Sequence, residues 1–316
     1  MDSIKVFSPG SITNLSCGYD ILGLCLQNRG DEITVSKTNK KGIIIKSVEG
    51  YHLTKDINKN VAGIAAQALL KNINVNYGFE IEIKKGIKPG SGIGSSAASS
   101  AGTVFAINQL LDSPFSHLDL IKSSMEGERF VSGSYHADNV APIIIGGITL
   151  VRSIESIDVI KLPSPKSLEV IIVRPNIEIK TSDSRKVVKK KVKIEKMVQQ
   201  SANLGSFISS LYTEDFDLMS KSVVDEIIEP DRSMLIPEFD NIKKISKDSG
   251  AIAVGISGSG PSIFSLSNNS STSNKILDNI TSHFEKLNID YDGFVLKLIP
   301  QVLKYLKQSE IHKLKS

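Results

Sequence analysis

The chain has 316 residues, long enough for two compact cores, and its 40% hydrophobic and 23% charged residues are those of an ordinary globular protein. The 38 Lys and Arg against 34 Asp and Glu leave a net charge of +4, far from the basic stripe of a dedicated nucleic-acid binder. No apolar run reaches the length of a bilayer crossing, and two cysteines, Cys17 and Cys25, make neither a disulfide framework nor a common zinc pattern.

Residues 1–12 lack the charged and apolar regions of a secretion signal, so the expected location is cytoplasmic, a reducing compartment. The apolar stretch 4–7 predicts a short strand; 31–36 and the Ile-rich 42–48 predict two more. Val61, Ile64, Ala65, Ala68 and Leu69 recur at helical spacing, a helix over 60–72 with Asn58 or Asn60 as its cap. Phe79, Ile81 and Ile83 alternate with Glu80 and Glu82, the mark of a half-buried strand. A Gly/Ser loop over 89–95 leads into a small-residue helix over 96–111. A helix over 117–130, a polar run over 132–139 and a strand over 147–151 follow.

Pro163, Ser164, Pro165 and Lys166 form a turn-rich break, which divides the chain into 1–165 and 166–316. Beyond it the pattern predicts a strand over 168–173, a Lys-rich run over 186–196, and helices over 201–211 and 217–228. Strands over 251–255 and 262–266 flank a glycine turn. A polar loop over 267–275, a helix over 276–287 and a strand over 293–298 complete the chain. Strands and helices alternate without a regular βαβ rhythm, so the class is α+β, with no internal repeat.

The most informative stretch is Pro89-Gly90-Ser91-Gly92-Ile93-Gly94-Ser95-Ser96-Ala97-Ala98, between a predicted strand and a predicted helix. Glycines at 90, 92 and 94 let the backbone turn tightly with no Cβ in the way. The helix that follows presents unpaired N–H groups and a positive dipole end, so the segment can cradle phosphate. A glycine hairpin with ordinary helix caps is the plainer reading. A Walker A loop needs a Lys that is absent here. The dinucleotide fingerprint needs a third Gly where Ser95 stands, or, counted from Gly92, ends in Ala97.

This stretch resembles the second motif of the family of galactokinase, homoserine kinase, mevalonate kinase and phosphomevalonate kinase, the GHMP kinases, with Ile93 in place of the usual Leu. Ser8-Pro9-Gly10-Ser11-Ile12-Thr13-Asn14-Leu15 with Gly18-Tyr19-Asp20 is similar to the first motif. Gly255-Ile256-Ser257-Gly258-Ser259-Gly260-Pro261 is similar to the third. Together they span most of the chain. The resemblance implies two domains, the N-terminal one ribosomal-protein-S5-domain-2-like and the C-terminal one a ferredoxin-like α/β sandwich. Within the family the homoserine kinases are the most similar, on Asn14, Gly18-Tyr19-Asp20, Glu126-Gly127-Glu128, the segment from His136 to Pro142, Gly146-Gly147, Thr181, Arg185 and Arg232. Ser16-Cys17 and the Lys-rich run 189–193 depart from that pattern.

The activity so implied moves the γ-phosphate of ATP to the hydroxyl of L-homoserine, giving O-phospho-L-homoserine for threonine biosynthesis. By resemblance, Ser96 and Glu128 hold Mg2+. The nucleotide contacts are Pro89, Gly90, Ser91, Gly92, Ile93, Gly94, Ser95, Ser96, Ser257 and Gly258, with Asn60 at adenine. Homoserine is a zwitterion. Arg185 and Arg232 suit its carboxylate because a guanidinium fork grips two oxygens. Asp20 suits its ammonium and Asn139 its hydroxyl, with Asn14, His136 and Thr181 filling in. Taken alone, each has a bland reading: a helical Glu is usually solvated, most Arg are surface charges, and an Asn before a helix is commonly a cap.

A catalytically dead sensor of the same fold is opposed by the presence of Ser96, Glu128 and the whole loop; two further readings compete. One is a kinase or decarboxylase of the same family acting on mevalonate or a related isoprenoid precursor, which would not need two Arg beside an Asp. The other is RNA binding through the 186–196 run, which lacks interleaved aromatics and reads better as a solvated face. The expected partners are therefore ATP and homoserine, without nucleic acid or membrane. A homodimer is compatible with the sequence and not specified by it.

Overall fold

The computed structural model of the chain describes residues 2–177, 179 and 181–298, the side chains at 181 and 182 excepted. The first sheet comprises β1 (Ser3–Asn14), β2 (Gly18–Thr38), β3 (Gly42–Glu49), β4 (Gly78–Lys84), β5 (Ile148–Ser153) and β6 (Asp158–Leu162). Its order is β3-β4-β2-β5-β6, with β1 antiparallel to β2 and only β3 and β4 parallel. β1 and β2 run far past the stretches expected at 4–7 and 31–36, because their polar and glycine-rich ends are still paired. Against the sheet lie α1 (Val61–Leu70), α2 (Ser95–Leu110) and the short α4 (Val140–Ile145), which the sequence reading left unassigned between the polar run and the next strand, while α3 (His117–Ser132) packs on these helices.

α2 sits at the centre of this half. Nearly every position is buried, so it has no polar face, as a helix enclosed on all sides requires. Small side chains allow the enclosure: a Cβ on Gly102 would stand 2.6 Å from Ser8 Cβ.

The second sheet is antiparallel throughout, in the order β10-β7-β9-β8: β7 (Glu169–Pro175), β8 (Ala253–Ile256), β9 (Ile263–Ser267) and β10 (Tyr291–Lys297). β7 is buried on both faces. Val170 and Ile172 join the large core shared with the first sheet, while Ile171 and Val173 join a second core with Phe239, Ile276 and Phe284. The helices of this half are α5 (Thr181–Lys186), α6 (Ile194–Thr213), α7 (Phe216–Ser222), α8 (Glu229–Arg232), α9 (Phe239–Asp248) and α10 (Ser270–Lys286).

Two expectations are corrected. The helix read over 217–228 stops at Ser222. Asp225 then turns the chain, its Oδ1 accepting from the N–H groups of Ile227 and Ile228 and its Oδ2 from that of Glu229. The polar loop read over 267–275 is mostly the start of α10, which Asn269 caps by accepting from Thr272 N at 2.8 Å. There Ser and Asn favour a cap rather than a loop, and Ile276, Ile280 and Phe284 anchor the helix. Among the described residues no helix is long and apolar enough to cross a membrane.

Candidate active site

The glycine loop joins β4 to α2 and is stitched to both other glycine/serine segments. Ser11 N donates to Ile93 O at 3.2 Å, Ser257 Oγ to Gly92 O at 2.6 Å and Ser262 Oγ to Ser91 O at 2.6 Å. Gly92 and Gly94 hold φ of +80° and +71°. A Cβ on Gly94 would stand 2.3 Å from Ser11 Oγ, and one on Gly92 2.7 Å from Gly260 O. Both conformation and contact therefore demand glycine. Gly94 caps α2 without a side chain, so the helix turns its first N–H groups and its dipole toward the cleft.

Beneath the loop lies a buried ion pair. Lys85 Nζ donates to Asp31 Oδ2 at 2.5 Å, to Ser95 O at 2.8 Å and to Ser99 Oγ at 2.9 Å. Asp31 Oδ1 accepts the N–H groups of Gly86 and Ile87 at 3.1 and 3.3 Å. Burial pulls the Lys85 ammonium below its usual range, and Asp31 opposes it. Every polar atom of the pair is engaged, which is what lets two charges stay in a core.

Glu128 projects from the buried face of α3. Gly127 beside it lets the helices close up, since a Cβ there would meet Ser100 Oγ at 2.4 Å. The carboxylate thereby lies beside Ser96, while its Oε1 has no hydrogen-bond partner among the described residues. Burial pushes its pKa up; His136 chiefly opposes, with Ser96 and Lys85 assisting. A buried carboxylate oxygen without a partner, beside a serine hydroxyl at the mouth of α2, fits a hard cation that takes few protein oxygens.

His136 Nδ1 lies 3.2 Å from Asp138 Oδ1 and Nε2 2.9 Å from Ser132 Oγ. Burial disfavours its charged form, but Asp138 and then Glu128 outweigh burial and bring the pKa to about 9. Near neutral pH the ring is an imidazolium whose two N–H groups are both engaged.

At the other end of the cleft the charged side chains meet. Arg185 forms a two-pronged pair with Asp20, Nη1 to Oδ2 and Nη2 to Oδ1, each 2.9 Å. Arg232 donates from Nε to Ser184 O at 3.1 Å and from Nη1 to Gly258 O at 3.0 Å. Asn14 Nδ2 donates to the same Gly258 carbonyl at 2.9 Å, and its Oδ1 accepts from Asp20 N at 3.0 Å. Asn14, Leu15, Ser16 and Asp20 all have positive φ, so the β1–β2 turn is held strained by these contacts. Asn139 Oδ1 accepts from Ser11 Oγ at 2.8 Å beside Gly94.

Nearly all the expected residues line one cleft of about 420 Å³, a usual size for a small-ligand site. Ile93 and Ser257 do not: Ile93 is in the core, and Ser257 is buried with its hydroxyl on Gly92. Asn60 lines the cleft with its amide engaged, Oδ1 capping α1 at Ala62 N and Nδ2 holding Thr54 O at 2.7 Å. The Thr181 side chain lies outside the described residues.

Family models describing the GHMP kinases N terminal domain and the GHMP kinases C terminal match residues 59–147 and 207–286. The homoserine kinase of Chloroherpeton thalassium is 37% identical over 305 residues, 92% of this chain and 96% of that one. The homoserine kinase of Methanococcus maripaludis (strain DSM 14266) is 41% identical over 270 residues, 84% of this chain and 88% of its own. The crystal structure of homoserine kinase from Cytophaga hutchinsonii superposes with a TM-score of 0.92 at 42% identity, covering 97% of this chain and 98% of that one. The chain belongs to the GHMP kinases, among the homoserine kinases.

In this GHMP kinase, sequence reasoning missed three residues that organise the site. Lys85 continues the alternation of Phe79, Ile81 and Ile83, so a charged side chain was due at a buried position, and its partner Asp31 was the missing half of that signal. Tyr19 lies between Arg185 and Arg232. Asp225 builds the turn that presents α8 and Arg232. Only Lys85 carried a pattern that could have found it.

The Lys-rich run is partly committed within the chain: Lys186 pairs with Asp183 and Lys189 with Asp231, while Lys196 donates to Glu226 O. Cys17 and Cys25 are free and buried, and burial pushes the Cys17 thiol up to about 12, which leaves it inert.

Proposed function

We propose that this protein transfers the γ-phosphoryl group of ATP to the side-chain hydroxyl of L-homoserine in the cytoplasm. The observation that carries the reading is the pairing of Asp20 with Arg185, beside Arg232, in the cleft that also holds the phosphate loop. An anion and two cations placed together are a receptor for a zwitterion, and an isoprenoid acid has no ammonium to use Asp20.

The chain's own groups have distinct parts. N–H groups of the 90–96 loop and the α2 N-terminus receive the phosphates, with the α2 dipole adding to the field. Ser96 and Glu128 would hold Mg2+, which when bound neutralises charge on the transferring phosphoryl group. Arg185 and Arg232 grip the substrate carboxylate, Asp20 its ammonium, and the Asn139 amide orients the hydroxyl. His136 is no base, because it is already protonated, and its hydrogen bond engages Asp138. The hydroxyl proton is therefore assigned to a γ-phosphate oxygen, with rate derived from positioning and electrostatics.

The test is ADP release from ATP and Mg2+ with and without L-homoserine. Homoserine-dependent, saturable release supports the reading; release that homoserine does not alter overturns it.

A further inference from the structure

Arg185 and Arg232 carry like charges into one corner of the cleft. Most of their hydrogen bonds lead away from each other: Arg185 to Asp20, Arg232 to the carbonyls of Ser184 and Gly258. Among the described residues, one side chain bonds both. Arg185 Nη1 and Arg232 Nη2 each lie 3.2 Å from the Tyr19 hydroxyl. A guanidinium can only donate, so the phenolic oxygen accepts from both with its two lone pairs. The two guanidinium carbons also lie 4.9 Å (Arg232) and 5.9 Å (Arg185) from the ring centroid, within reach of its π face. Tyr19 is half-buried at the start of β2, between the strained β1–β2 turn and the positive-φ Asp20, so the paired backbone fixes where the hydroxyl stands.

We infer that Tyr19 is a positioning residue for the acceptor's carboxylate: its hydroxyl sets the spacing and tilt of Arg185 and Arg232 so that both forks meet one carboxylate. The inference rests on the homoserine reading above. Tyr19 does not line the cleft, so it acts through the two arginines. Asp20 offsets part of their repulsion but hydrogen-bonds Arg185 alone; without the hydroxyl the two guanidinium groups lose the one acceptor they share, and the forks separate before substrate arrives. Loss should therefore fall on substrates that have a carboxylate and spare those that do not.

The experiment is Tyr19→Phe, which keeps the ring and removes the acceptor oxygen. Initial rates are measured with L-homoserine and with its analogue in which the carboxylate is reduced to an alcohol, at saturating ATP and Mg2+. The expected result is a loss of about fivefold in kcat/KM for homoserine, the scale of one net hydrogen bond, carried by KM. The analogue's kcat/KM and the KM for ATP should stay within about twofold. Equal loss toward both acceptors, with or without a lower Tm, overturns the inference, because a structural role would do that. No change toward homoserine also overturns it. If the unsubstituted enzyme does not phosphorylate homoserine, the acceptor reading itself fails and this inference falls with it.

Discussion

At the nucleotide end of the cleft the polar groups come mainly from backbone; at the acceptor end they come from side chains. The glycine loop and the start of α2 are held by carbonyls, amides and serines from three segments, over the Lys85–Asp31 pair, whose side chains are 2% and 0% exposed. The Arg185–Asp20 pair is 25% and 32% exposed. The first pair is locked by burial and cannot exchange partners. The second is near water and can trade its internal bonds for those of a zwitterion. On the proposed function, the part that handles a phosphate chain is thus fixed in place, while the part that chooses the acceptor is exchangeable.

The sharpest way to break that contrast is to disturb each pair. Lys85→Met leaves the Asp31 carboxylate buried without its cation and should cost about 3–5 kcal/mol of stability in urea denaturation. Adding Asp31→Asn should restore part of it. Asp20→Asn should cost about 1 kcal/mol, as a part-buried pair near water does. Similar losses at both sites would erase the distinction.

Glu128→Gln keeps shape but removes the anion beside Ser96. Turnover should fall by roughly a hundredfold or more, the scale of one lost electrostatic stabiliser, with Mg2+ dependence moved to higher concentration. Near-normal turnover at low Mg2+ would contradict the metal assignment.

On the acceptor side, Arg185→Lys keeps charge and loses the fork. A charge-assisted hydrogen bond contributes about 1.5–3 kcal/mol, so homoserine KM should rise by roughly ten- to a hundredfold while ATP KM barely moves. Equal rises in both would show that the two ends are not separable.

The smallest effect concerns His136. Its pKa is raised in the folded protein to about 9, so its charge stabilises the fold fully below the unfolded value near 6.5 and progressively less as pH rises through 9. Without nucleotide, His136→Gln should lower Tm by a few degrees at pH 6, and the gap should narrow by pH 10. A gap that is constant with pH would refute the charged state.

How much of this was legible in the sequence follows the same division. The phosphate loop is contiguous, and its glycines, its place before a helix and its serines are local signals. Helix α2 was readable to within one residue because small apolar residues persist around the whole helix. The acceptor end draws on residues 14–20, 136–139, 185 and 232, and no local pattern links them; only the family resemblance named them. Tyr19 was quoted as part of a motif without a role, because its role depends on two arginines more than 160 positions away. Asp225 and the start of α10 were misread for a related reason. A polar residue that caps a helix and one that sits in a loop look alike until the partner N–H is known.

The central claim, that the cleft selects an amino-acid acceptor, is tested most directly by competition. Equal concentrations of L-homoserine and mevalonate are mixed with limiting ATP, Mg2+ and enzyme, and the phosphorylated products are counted by mass spectrometry. Because both acceptors draw on one enzyme pool, the product ratio is the ratio of kcat/KM values. The account expects phosphohomoserine to make up nearly all of the product; a mixture rich in phosphomevalonate, or no phosphohomoserine at all, would contradict it.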